Sequence, residues 1–132
     1  SLFRDALSPM FVPPWNRIRP ALLPILVRQG FTALSTYGPR GAPEPVARLT
    51  QINTHVDPIW WKGTRDLVEP ETLVRGAAAH GRARRQGHED ADEPFGLLTH
   101  HLVHTPQIWE FTRAFIEEML AGGAEPWTTE NT

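Results

Sequence analysis

The chain has 132 residues, 40 % of them hydrophobic, and a formal net charge of −2. That size and balance fit one soluble globular domain with its own core and exclude a disordered polyelectrolyte. There is no basic excess to hold nucleic acid, and no cysteine for a disulfide, a zinc thiolate or a thiol nucleophile. Lys62 is the one lysine among many arginines, which with abundant Ala, Pro and Gly reads as GC-rich coding before function. No segment approaches the roughly 18 continuous apolar residues of a membrane helix. The start, Ser1 to Asp5, has no apolar run and no initiating Met, so it is not an intact signal peptide and this end reads as processed or cut.

Phe11-Val12 reads as the end of a strand, closed by Pro13-Pro14, which cannot donate to a ladder. Arg19 to Gln29 reads as a helix, with Ala21, Leu22, Ile25 and Leu26 on one face and Gly30 as its stop. Pro24 either kinks that helix or delays its start. Phe31 to Ser35 is short and β-prone, a strand; the proline-rich stretch Pro39 to Pro45 is a loop. Arg48 to Val56 alternates imperfectly and is predicted as a strand ended by Asp57-Pro58.

Pro70-Glu71-Thr72 opens a second helix to about Gln86, with an acidic residue where the helix dipole favours it. His88 to Glu93 reads as a polar surface loop, and His80 and His88 as solvent-exposed. Phe95 to Leu102 is predicted as the last strand. Thr105 caps a third helix, with Pro106 at its first position, an apolar face of Ile108, Phe111, Phe115, Ile116 and Met119, and Gly122-Gly123 as its stop. The domain is expected over residues 1–123, followed by a flexible tail, 124–132. The order β-α-β-β-α-β-α predicts an α/β fold with parallel pairing, either a small open sheet or an arc of a larger barrel.

In such folds functional groups gather where strands end. Three segments qualify: Pro14-Trp15-Asn16-Arg17, His55-Val56-Asp57-Pro58-Ile59-Trp60-Trp61, and Leu97-Leu98-Thr99-His100-His101. In a parallel sheet they share one edge. Each also has a plain structural reading: a rigid packing corner at Pro-Pro-Trp, a turn residue at Asp57. A metal site made by His100, His101 and His104 is not expected, because adjacent strand residues face opposite ways. One of the pair should face the edge and the other pack behind the sheet.

Taken in order, these segments resemble the third, fourth and fifth motifs of the polysaccharide deacetylase (NodB-homology) family. Phe11-Val12-Pro13-Pro14-Trp15-Asn16 is similar to an Arg-x-Pro turn, the Asp57 segment to an Asp- and Trp-bearing motif, and Leu97 to His101 to a Leu-x-His strand end. The similarity runs from about Phe11 to Leu120 and is to bacterial proteins. It implies an irregular (β/α) barrel and a hydrolase that removes N- or O-acetyl groups from a carbohydrate substrate with a divalent metal, zinc being the expected one. His100 is then the general acid and Asp57 its carboxylate partner; Pro14, Trp15, Asn16, Arg17, His55 and Trp61 are substrate contacts. The family's first two motifs, an Asp pair and a His-x-x-x-His metal pair, have no counterpart here. The resemblance therefore implies that the chain is the C-terminal half of the domain, that no metal is expected in it, and that its partner is the N-terminal half of the same domain. Val12 stands where the third motif usually has Arg and Trp60 where an Asp is common, which leaves open a carbohydrate-binding pseudoenzyme or a small α/β scaffold.

Overall fold

The structure is a computed structural model that describes residues 8–128. The expectations placed on the first residues and on the last four lie outside it. Three short strands form a parallel sheet in chain order: β1 (Met10–Phe11), β2 (Ala33–Leu34) and β3 (Thr50–Gln51). Met10 and Phe11 face Ala33 and Leu34, which in turn face Thr50 and Gln51. Parallel pairing continues beyond β2 and β3 through a bridge between Tyr37 and Thr54, and reaches a fourth segment through a bridge between Val56 and Leu97. Among the described residues the fold is mixed α/β with a small parallel sheet and three α-helices.

The strands are shorter than the sequence suggests because side chains and prolines take over from the ladder. Pro9 and Pro13 bracket β1. Beyond β3, Asn53 puts its Oδ1 where a backbone carbonyl would lie and accepts the Thr36 N–H at 2.9 Å. The predicted strand from Phe95 to Leu102 is reduced to residues around Leu97. Leu98 N–H donates to Val56 O at 2.8 Å, but Val103 N–H already turns back to His100 O at 2.9 Å. Gly96 permits the approach: a Cβ there would meet Asn53 O at 2.5 Å, closer than any side chain tolerates.

The helices are α1 (Leu23–Arg28), α2 (Pro70–Arg85) and α3 (Pro106–Ala121). Pro24 lies in the first turn of α1, where its missing N–H costs nothing, so it sets the start and does not kink the helix. All three helices end the same way. The residue two past the cap donates to the third-last carbonyl: Phe31 to Leu26, His88 to Ala83, Ala124 to Met119, at 2.9–3.1 Å. The intervening glycines, Gly30, Gly87 and Gly123, have φ of 89°, 73° and 91°. The glycine stops expected at Gly30 and at Gly122-Gly123 are thus left-handed caps, and Gly87, not singled out in the sequence, caps α2 in the same way.

One core lies at the start of the chain. Leu23 and Leu26 of α1 pack on Leu34 and Leu49, with Phe11, Ile18, Val27, Phe31 and Val46 around them. Burying such side chains contributes about 1.5–3 kcal/mol each. The later helices are less covered: only Leu73 of α2 and Ile108 and Thr112 of α3 are buried. Of the rest of the predicted α3 face, Phe111, Phe115 and Met119 line an apolar groove of about 650 Å³ between α2 and α3, while Ile116 is exposed outside it. Past Ala124 the chain is described to Thr128 without helix or strand.

Candidate functional site

Because the strands run parallel, the segments leaving them emerge at one edge. Asp57 follows the third, fixed by the local turn at Pro58: its Oδ1 accepts the Ile59 N–H at 3.0 Å. Its Oδ2 accepts the Trp61 indole Nε1–H at 2.8 Å. Both oxygens are thus held before any partner from elsewhere arrives. His100, from the fourth segment, brings Nε2 to 3.5 Å from Asp57 Oδ2. That is ion-pair range and longer than a good hydrogen bond, and Nε2 has no hydrogen-bond partner although the atom is buried. The Trp61 and His100 rings meet edge to face, centroids 4.8 Å apart. Asp57, Trp61 and His100 therefore form one unit, with the His100 side chain 25 % exposed.

Residues 100–104 form a turn, and this alters one expectation and brings in a further residue. His101 does not pack behind a sheet; it is exposed. His104 is brought back beside His100, its Nε2 accepting the His100 backbone N–H at 2.9 Å. Its ring lies edge-on to Trp109 of α3, centroids 4.5 Å apart. Burial, and then the neighbouring His100 charge, hold His104 below the usual histidine range, with Asp57 opposing.

The segment after β1 carries the expected Pro14, Trp15, Asn16 and Arg17. Trp15 is 90 % exposed, so it is not a packing corner. Trp15 and Asn16 both adopt left-handed backbone, φ 62° and 51°, which costs about 1–3 kcal/mol for a bulky residue. Pro14 and Arg17 are exposed and Asn16 is half-buried, its carbonyl accepting the Tyr37 N–H at 3.1 Å. Tyr37, at the corresponding end of the second strand, was not singled out in the sequence. It is two residues past the predicted strand Phe31 to Ser35, so the strand-end rule that found the others reaches it too. Its hydroxyl donates to His55 O at 3.1 Å. Burial, then the nearby Asp57 charge, push its phenol above the ordinary value. Trp60, half exposed, lays its ring against Gly63 in the next turn.

His55 is the expected contact that the structure places elsewhere. Its side chain is fully buried, and Nε2 lies 3.2 Å from the equally buried Glu93 Oε2. Nδ1 accepts the Gly96 N–H at 3.2 Å, so the proton sits on Nε2 and donates to Glu93. Glu93 also accepts the backbone N–H groups of Arg40 and Asn53, at 2.9 and 3.2 Å. Arg40 in turn pairs with Asp90 at 2.8 Å. The 88–93 loop is therefore tied inward at its end, where the sequence suggests a polar surface. His80 likewise is not free in solvent: it pairs with Glu89 at 2.9 Å and meets His55 edge to face. Burial is the main cause that lowers the His55 pKa, against the pull of Glu93.

Among the described residues no group of three or more His, Asp or Glu could hold a metal ion. At the sheet edge, Asp57 already accepts two N–H groups and His104 Nε2 a third, so these side chains do not fit a metal by themselves. Among the described residues no helix is long and apolar enough to cross a membrane. No protein-family model, curated protein or solved structure matches the chain.

Proposed function

We propose that the chain is the part of a carbohydrate deacetylase that supplies the proton to the leaving group, within a (β/α) barrel of which its four parallel segments are an arc. The observation that carries the reading is the Asp57–His100 pair at the shared strand edge, its carboxylate held by Trp61. Chain-order pairing, β1 to β2 to β3 to the Leu97 segment, supports the arc.

In this reading His100 is the general acid. Asp57 faces Nε2, which leaves Nδ1 to deliver the proton. As water adds to the acetyl carbon, giving up its proton to a base that the resemblance places outside these 132 residues, the C–N or C–O bond breaks, the proton from His100 goes to the departing amine or hydroxyl, and acetate is released. Asp57 orients the ring, and Trp61 fixes Asp57. The exposed Trp15, Tyr37 and Trp60 offer flat faces to sugar rings. The metal implied by the resemblance, zinc being expected, would polarise the acetyl carbonyl and be held by residues outside these 132.

A second reading is a carbohydrate-binding protein without turnover. Val12, half exposed at the place of the family's Arg, favours it. Acetate release from N-acetylated glucosamine oligosaccharides by the complete gene product separates the two. Release that a chelator stops and zinc restores is expected. Saccharide binding without release supports the second reading, and neither binding nor release removes both.

A further inference from the structure

We propose that His104 is a positioning residue: by accepting the His100 backbone N–H it locks the 100–104 turn and so holds the His100 ring against Asp57. The inference rests on the reading of His100 as proton donor. The turn is closed twice, by His104 N–H to His100 O at 3.2 Å and by His100 N–H to His104 Nε2 at 2.9 Å. The first bond belongs to any such turn. The second needs this side chain, and it needs Nε2 unprotonated, so the ring proton sits on Nδ1. That Nδ1 is buried without a partner, so no second bond competes for the tautomer. The tautomer is thus set by the bond to His100. Trp109 backs the ring from α3, so the helix seats the turn.

Protonating His104 removes its lone pair and turns an acceptor into a second donor against the same N–H. The charged and titratable groups that act on it are His100 and His101 from its own segment and Asp57 from the third strand end; Trp109, which packs on it from α3, is uncharged. Burial and the two histidines resist the proton and Asp57 favours it, so the lock holds at neutral pH and opens in acid.

Nitrogen-15 spectroscopy of the complete protein tests this without reference to turnover. His104 is expected as the Nδ1–H tautomer, titrating below an ordinary histidine. His104→Gln keeps an acceptor at the Nε2 position; His104→Phe keeps only the ring. Exchange of the His100 amide with water should rise at least about 10-fold in His104→Phe and stay within about 3-fold of wild type in His104→Gln, with the amides of α3 as the folding control. In an active parent, His104→Phe should lower kcat by about 10–100-fold with KM little changed, and His104→Gln should retain kcat. An Nε2–H tautomer, or a His100 amide indifferent to His104→Phe, overturns the proposal. The exchange result with no turnover in any variant overturns the deacetylase reading and leaves the lock standing.

Discussion

The indole Nε1–H of Trp61 donates to Asp57 Oδ2 at 2.8 Å, the same oxygen that faces His100 Nε2 at 3.5 Å. One carboxylate oxygen thus joins a tryptophan four residues on to a histidine from another strand end. Trp61→Phe keeps an aromatic edge for His100 but deletes the donor. It should cost about 1.5–3 kcal/mol, the worth of a hydrogen bond to a charged group, less its exposure. Asp57→Asn should move the Trp61 indole proton resonance, and an indole signal unchanged by that substitution would place Trp61 elsewhere.

The buried pair His55–Glu93 carries the opposite expectation. Both side chains are fully buried, and Glu93 also satisfies two backbone N–H groups. Glu93→Ala leaves His55 and those donors unpaired, and should destabilise by about 3–5 kcal/mol. Denaturant melts measure it. A loss below about 1 kcal/mol would mean that the 88–93 loop is not anchored as described.

Stability should depend on pH in one direction. His55 and His104 both have pKa values lowered in the folded state, chiefly by burial. Above the ordinary histidine value both states are neutral and nothing is lost. Below it the unfolded chain takes up protons that the folded chain resists, so stability falls as pH drops from about 7 toward the lowered pKa values, by at most about 1.4 kcal/mol per pH unit per group. Thermal melts from pH 8 to pH 5 should show a declining Tm, and a Tm that rises over that window contradicts both shifts.

Gly96 is required by closeness, not by backbone angle. A Cβ would meet Asn53 O at 2.5 Å and the Thr54 Cα at 2.9 Å, and backbone cannot yield as a side chain does. Gly96→Ala should cost about 1–3 kcal/mol or more and broaden the Leu98 amide, which bonds to Val56 O. A melt unchanged from wild type would show that the fourth segment does not lie this close.

The ends of α1 and α3 were legible in the sequence because each rests on a local glycine, Gly30 and Gly123; Gly87, which was not singled out, ends α2 by the same local device. Thr105 also caps as read, though its hydroxyl is additionally fixed by Asp66 Oδ1 at 2.6 Å, 39 residues away. Local pattern failed at the end of the predicted strand Phe95 to Leu102. An apolar residue after Leu97-Leu98 looks like a continuing strand, yet Leu102 is 87 % exposed. The chain turns at His100, where His104 Nε2 accepts the backbone N–H and Trp109 of α3 packs on the His104 ring. His55 could not be assigned from its neighbours either, since its environment is Glu93 and Phe95, some forty residues on. The shared strand edge was readable, since parallel order alone places Trp15, Asp57 and His100 on one side. Which histidine approaches Asp57 depends on the turn.

That choice is the centre of the account. His100 faces Asp57, whereas His101, one residue on, is exposed and makes no described side-chain bond. The most direct measurement is acetate release by the complete protein carrying His100→Ala or His101→Ala. His100→Ala should reduce kcat by about 100-fold or more, the usual worth of a positioned acid, while His101→Ala leaves turnover and melting close to wild type. Turnover that survives His100→Ala and is abolished by His101→Ala would contradict the assignment of the acid, and with it the role given to Asp57.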